Sequence, residues 1–187
     1  MLKVIKHCFL IIVGPSGSGK TTLEKELNDM YPFIFRKVVQ VTTRKMRENE
    51  KQGDPYIFVE KEIFHLMKET LVGVVDSDSK FENGYGSIFF PQVNKIQTII
   101  LSEEGLIDFK NKVNTDYIVV GLDSDFTLRD DRKRIAGREI NVLSMADRVF
   151  KVMKGDAPEE ILWVHPLEII LLLKDFKFIK EVPCNEY

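Results

Sequence analysis

Residues 14–21 read Gly-Pro-Ser-Gly-Ser-Gly-Lys-Thr, which is G-x-x-x-x-G-K-[ST] without a mismatch. An apolar run, residues 8–13, leads into this stretch, and a helix-prone run, residues 22–28, follows it. That order is what a phosphate-binding loop needs. A buried strand delivers the loop, glycines let successive backbone N–H groups turn inward, and the helix N-terminus adds partial positive charge. Gly14, Ser16, Gly17, Ser18, Gly19, Lys20, Thr21 and Thr22 are therefore the expected triphosphate cradle. Lys20 is placed to reach the β- and γ-phosphates, and the Thr21 hydroxyl to hold Mg²⁺.

Strand-like and helix-like runs alternate outward from this loop. Residues 7–13, 36–43, 56–59, 71–75, 97–101, 117–121 and 149–153 read as strands. Residues 20–30, 60–70, 103–113 and 158–173 read as helices, the last bent or broken at Pro166. The pattern predicts an α/β fold with a mainly parallel sheet flanked by helices. Residues 36–90 are richer in short strands and turns, and read as an insertion that folds over the site.

The totals bound the class. A chain of 187 residues with 44% apolar and 30% charged content fits one domain with a real core. A net charge of −2 gives no chain-wide signature of nucleic-acid binding, although basic residues cluster at 44–51 and 129–138. Cys8 and Cys184 form no spaced set, so a reducing, cytoplasmic compartment is expected. The apolar run at 9–13 enters the phosphate loop rather than a cleavage site, and residues 161–173 are interrupted by His165, Pro166 and Glu168. Neither a signal peptide nor a membrane span is expected.

A second constellation decides among phosphate-loop proteins. Thr42-Thr43-Arg44-Lys45-Met46-Arg47 sets two arginines three apart after a strand. Tyr56 follows in Asp-Pro-Tyr-Ile-Phe-Val, and Tyr85 in Gly-Tyr-Gly-Ser. Two guanidinium forks and two phenol hydroxyls converging on one point would clamp a second phosphate. A kinase for a nucleoside monophosphate needs such a site opposite the first.

With these residues in hand, the chain resembles the guanylate kinase family. That family pairs G-P-S-G-x-G-K-[ST] with T-T-R-x-x-R, G-x-x-Y-x-F-V and Y-Y-G-[ST], and the counterparts here are residues 14–21, 42–47, 54–59 and 84–87. The resemblance implies a P-loop kinase fold with an inserted monophosphate-binding subdomain over 36–90, a lid over 124–147, and a core over 1–35, 97–123 and 149–187. It implies that Arg44, Arg47, Tyr56 and Tyr85 hold the monophosphate and that Ser87 contacts the base. Arg134-Ile-Ala-Gly-Arg138 is similar to the lid element R-L-x-x-R, whose arginines neutralise charge during transfer, and Arg148 is the candidate for a further lid arginine or for the last strand.

Departures gather at the acceptor. Asp76 is the best equivalent of the family's acid that reads the guanine edge, with Asp78 or Glu82 as the alternatives in the same loop. Gln40 stands where the family has serine, and Ser102 replaces an aspartate of D-x-D-x-Q-G, with Glu103 beside it. The expectation is an ATP- and Mg²⁺-dependent kinase, monomer or homodimer, acting on GMP, dGMP or a related nucleotide, without nucleic-acid or membrane partners. The alternatives are a kinase for another phosphorylated acceptor, such as a ribose bisphosphate, and an inactive module that binds phosphopeptides. Retention of Lys20 and Thr21 favours the enzyme.

Overall fold

The computed structural model describes residues 2–48, 50–54, 56–76, 83–92, 94–124, 140–154, 161–162 and 164–181. In chain order the elements are β1 (Leu2–Val4), β2 (Cys8–Val13), α1 (Lys20–Met30), β3 (Phe35–Lys37), β4 (Gln40–Thr42) and β5 (Tyr56–Phe58). Then come α2 (Lys61–Met67), β6 (Leu71–Val75), β7 (Tyr85–Ile88), β8 (Ile96–Ile100), α3 (Glu103–Lys112) and β9 (Tyr117–Ser124). The chain closes with α4 (Ile140–Leu143), β10 (Arg148–Lys154), β11 (Ile161–Leu162), α5 (Pro166–Asp175) and β12 (Ile179–Glu181). These elements form two compact units, one of Met1–Lys37, Pro91–Ser102 and Thr115–Tyr187, the other of Val38–Phe90 and Glu103–Asn114.

The first unit is built around β2. Its six residues are all buried, as a strand covered on both faces requires. The sheet order is β11-β10-β9-β2-β8-β3. Every pairing is parallel except that of β10 with β11. On one face Leu10, Ile12, Val120 and Leu122 pack with Leu23 and Leu27 of α1 and with Ile169 and Leu173 of α5. Each such side chain contributes about 1.5–3 kcal/mol by leaving water. This is the expected α/β layer, with the phosphate-loop strand at its centre.

Pro166 has a different role from the expected one. It does not bend a helix over 158–173; it opens α5 at the first helical position, where its missing N–H costs nothing. His165 caps the helix: its Nδ1 accepts from the Leu167 N–H at 3.1 Å, and the Glu168 carboxylate accepts from the His165 N–H at 3.2 Å. Upstream of the helix, Ile161–Leu162 is a short antiparallel strand on β10. A further antiparallel pair, β1 with β12, joins Leu2–Val4 to Ile179–Glu181.

The run at 36–43, read as one strand, is two. Phe35–Lys37 pairs with β8 in the first unit, whereas Gln40–Thr42 pairs with β5 and β7 in the second. The second unit has the order β5-β4-β7-β6. Val41, Phe64 and Leu71 form its small core, with Ile57, Val59, Met67 and Val74 packed around them. The β6–β7 register shifts between Val72 and Val75. The Val74 N–H donates to Asp108 Oδ2 at 2.8 Å, and Lys112 Nζ donates to the Leu71 carbonyl at 3.1 Å. Asp108 and Lys112 thereby fasten α3 to β6, and the helix read from sequence as part of the core groups with this second unit.

Candidate active site

The phosphate loop leaves β2 at Val13 and enters α1 at Lys20. Gly14 has φ +143°, and a Cβ built on it would lie 2.2 Å from the Leu122 carbonyl oxygen of β9, so only glycine fits. Gly17 and Gly19 also have positive φ. Lys20 Nζ donates to the carbonyls of Gly14 and Pro15 at 2.6 Å each, which folds the side chain back over the loop. Ser18 is fully buried, and its Oγ has no hydrogen-bond partner among the described residues. Ser16 is half-buried, while Thr21 and Thr22 are exposed in the first turn of α1.

In the second unit the residues expected at the acceptor share one face of the small sheet. Tyr56, Gln40 and Ser87 form one cross-strand row, and Phe58, Thr42 and Tyr85 the next. Successive residues alternate faces, so both rows point the same way and Val41, Ile57 and Gly86 point to the core. The Tyr56 and Tyr85 rings meet edge to face at 6.2 Å. The Arg44 guanidinium lies 5.5 Å from the Tyr56 ring centre and 5.4 Å from that of Phe58. Gln40 Nε2 donates to Ser87 Oγ at 3.4 Å, and Ser87 is fully buried.

The two threonines before Arg44 explain why it arrives there. Thr42 Oγ1 donates to the Gly84 carbonyl at 2.9 Å, and Thr43 Oγ1 accepts from the Gly84 N–H at 2.8 Å. These bonds lock the end of β4 to the start of β7, so Arg44 and Tyr85 emerge side by side. A cleft of about 650 Å³ opens beside Arg44, lined by Thr43, Lys45, Met46, Phe58, Val59 and Asn83 among others. That volume is in the range of small-ligand sites.

Arg44 already has an anionic partner. Its Nη2 donates to both oxygens of Glu50, at 2.8 and 3.0 Å, and its Nη1 donates to the Lys45 carbonyl at 2.8 Å. The Arg47 N–H donates to Glu50 Oε2 at 2.9 Å, whereas the Arg47 side chain is exposed. The hydrogen bonds from Arg44 and from the Arg47 backbone hold the Glu50 carboxyl below its ordinary range, and the bond to Glu50 raises the Arg44 guanidinium. Sequence reading missed Glu50. The signal available was an acidic pair, Glu48 and Glu50, inside a basic run.

The other expected residues are distributed as follows. Asp76 follows β6 directly and pairs with Lys68 Nζ at 2.9 Å. Ser102 ends the first unit's second segment and is exposed; Glu103 begins α3. Arg148 is the first residue of β10, opposite Val120, and its guanidinium lies 6.0 Å from the Phe150 ring centre. Of its two readings, lid or last strand, the strand is the one found. Asp147 fixes that strand start, accepting the Val119 N–H at 2.7 Å and donating its own N–H to the Val119 carbonyl. Arg134 and Arg138, with Asp78, Glu82 and Cys184, lie outside the described residues. Cys8 is a buried core thiol whose pKa burial pushes up to about 12, so it is chemically inert.

Comparison with known proteins accords with this arrangement. A family model described as guanylate kinase matches residues 6–101, just over half of the chain. Guanylate kinase of Mycoplasmopsis pulmonis is 35% identical over 88 residues, covering 47% of this chain and 44% of that protein. Guanylate kinase of Wigglesworthia glossinidia brevipalpis is 29% identical over 177 residues, covering 91% of this chain and 82% of that protein. The chain thus spans less than half the length of the first relative and most of the second. The crystal structure of guanylate kinase from Anaplasma phagocytophilum shares the fold with a TM-score of 0.64 at 22% identity, over 94% of this chain and 88% of that one. The matched segment holds the phosphate loop, the paired arginines and both clamp tyrosines, and on that match the chain belongs to the guanylate kinase family.

Proposed function

We propose that this protein is a nucleoside monophosphate kinase that transfers the γ-phosphoryl group of ATP to GMP, dGMP or a related nucleotide. The observation that carries the reading is the gathering of Arg44, Tyr56 and Tyr85 on one face of the second unit's sheet, with Gln40 and Ser87 in the same row as Tyr56. Successive same-face rows on a strand are about 6.6 Å apart. One nucleotide can therefore touch both the Tyr56–Gln40–Ser87 row and the Tyr85 row. In this reading Arg44, Arg47, Tyr56 and Tyr85 bind the acceptor phosphate, while Ser87 and Asp76 meet the base.

ATP belongs on Gly14, on Ser16 to Gly19, and on Lys20, Thr21 and Thr22, with its phosphates facing the loop N–H groups. Lys20 exchanges its two carbonyl partners for phosphate oxygens and stabilises the charge that develops there. Thr21 is the residue that would hold Mg²⁺, which supplies charge neutralisation at the phosphates. The fit is good, since the Thr21 side chain is exposed at the helix start. Among the described residues no cluster of three His, Cys, Asp or Glu is present, but magnesium shared with phosphates needs few protein ligands. Arg134 and Arg138, in a lid over 124–147, complete the neutralisation. Direct in-line transfer needs no covalent intermediate, because the acceptor phosphate oxygen is itself the nucleophile.

A panel of nucleoside and sugar monophosphates, assayed with ATP by coupled ADP release, tests the reading. Turnover of guanine nucleotides, abolished in Lys20→Ala, is expected. Turnover of a sugar phosphate alone, or phosphopeptide binding without ATP binding, would overturn it.

A further inference from the structure

We propose that Glu50 is a positioning residue of the acceptor phosphate site, holding the Arg44 guanidinium in the pose that receives a phosphomonoester; this rests on the nucleotide kinase reading above. The inference begins with charge. Arg44, Lys45, Arg47 and Lys51 are four cations within eight residues. A long, flexible arginine in such company is repelled by its neighbours and has many rotamers to lose on ordering. Glu50 offsets both effects. Its two oxygens take Arg44 Nη2, and one of them also takes the Arg47 N–H, so a single carboxylate links both clamp arginines.

The loop that carries Glu50 is constructed to deliver it. Gln52 bonds the Phe58 backbone twice, through Nε2 to the carbonyl at 3.0 Å and through Oε1 from the N–H at 2.9 Å. Lys51 and Asp54 bridge each other, and the Gly53 N–H donates to the Tyr56 carbonyl at 2.8 Å. Glu50 is therefore fastened to β5, the strand whose Tyr56 and Phe58 rings also lie against Arg44. The guanidinium is held by two rings, one carbonyl and one carboxylate.

Stability does not account for so much construction. The Arg44 and Glu50 side chains are 15% and 14% exposed, and a pair largely withdrawn from water loses to desolvation much of what it gains in attraction. Position does account for it. The bonds among described residues engage Nη1 and Nη2, and a guanidinium carries five N–H donors, so Nε–H and one Nη1 hydrogen are left to meet phosphate oxygens. A donor set fixed in advance loses less entropy when the ligand arrives.

The test uses the full chain as Glu50→Ala and Glu50→Gln. Acceptor affinity is read by calorimetry with GMP, and Arg44 order by its ¹⁵N guanidinium NMR signals, assigned through Arg44→Lys. The expected result is a loss of GMP affinity of about 10-fold in Glu50→Ala, a smaller loss in Glu50→Gln, and an acceptor KM that rises while the ATP KM stays fixed. The Arg44 signals should pass from hindered to free rotation in Glu50→Ala. Two results overturn the proposal: GMP affinity unchanged or tighter in both variants, which would make Glu50 a competitor or a bystander, or ATP and GMP affinity falling together. Should the wild-type protein bind no nucleoside monophosphate, the kinase reading fails separately. Glu50 is then judged by inorganic phosphate, whose binding at Arg44 should weaken in Glu50→Ala and whose unchanged binding would reject the role.

Discussion

Gly14→Ala is the sharpest perturbation of the donor side, because two separate costs fall on one atom. The first is conformational: φ at Gly14 is +143°, a region that L-residues rarely adopt, and holding alanine there costs about 1–3 kcal/mol. The second is steric. The new Cβ would sit 2.2 Å from the Leu122 carbonyl oxygen and 3.0 Å from Ser18 Oγ. Leu122 cannot yield easily, since β9 is held parallel to β2 with Gly121 opposite Val13. Overpacking of this kind costs a further 1–3 kcal/mol or so, bringing the total to about 2–6 kcal/mol out of the roughly 5–15 kcal/mol that a domain possesses. Relief by moving the loop about 1 Å would misplace its N–H groups, and displacements of that size cost on the order of 10²-fold in rate. Gly53→Ala is the control. Gly53 also has positive φ, +85°, but nothing lies within 4 Å of its virtual Cβ, so it bears only the conformational cost of about 1–2 kcal/mol. Urea denaturation followed by circular dichroism, with ATP titration on each variant, measures both. A Gly14→Ala protein no less stable than Gly53→Ala, and binding ATP as the wild type does, would refute the reasoning.

Asp76→Ala should leave stability nearly unchanged, since its partner Lys68 is part-exposed, yet raise the acceptor KM about 10-fold or more for guanine nucleotides and less for pyrimidines; equal effects on both would remove Asp76 from base reading. Glu24→Gln tests a buried acid outside the proposed chemistry. Glu24 is 3% exposed, and burial raises its pKa above 4.5 despite Lys37 at 3.1 Å. The folded state therefore binds the extra proton, so the stability from this group is fully present below pH 4.5 and is lost as pH rises through the folded value. Thermal melts should show Glu24→Gln gaining on the wild type as pH climbs from 4.5 toward neutrality; a constant gap, or one of opposite sign, would contradict the assignment.

The elements legible in the sequence were those whose burial is continuous or periodic. Cys8–Val13 reads as a strand because every residue is apolar, and every residue is indeed buried. The helix after the phosphate loop and the strand at Tyr117–Ser124 were legible for the same reason. Elements defined by a distant partner were not. The β1 and β12 strands are three residues each and exist only because Leu2 meets Glu181 across the length of the chain. The β-branched run at 36–43 carries no mark at the point where one sheet ends and another begins, since Val38 and Val39, between the two strands, are as apolar as Val41 within the second. Asp108 shows the same limit in a side chain. Nothing in its neighbourhood says that it will satisfy the N–H that the β6 irregularity leaves open at Val74.

The acceptor site divides along a similar line. Arg44, Tyr56 and Tyr85, the proposed phosphate clamp, were legible as a group because a phosphate dictates the chemistry of whatever touches it, and that chemistry recurs as residue types at set spacings. Glu50 was not, because no ligand dictates it; it is dictated by the path of the loop. A carboxylate six residues after an arginine is ordinary on a charged surface. It acquires meaning only once Gln52 is seen to tie the loop to Phe58 and the turn at 51–54 to return the chain toward Tyr56. Arg148 was open to two readings, lid or last strand, and the bonds between Asp147 and Val119 commit it to the strand. Spacing therefore identifies the groups that meet a ligand, and backbone hydrogen bonding decides which neighbouring charge holds those groups in place. In this chain the second kind of information picks out Glu50, which bonds Arg44 and the Arg47 N–H.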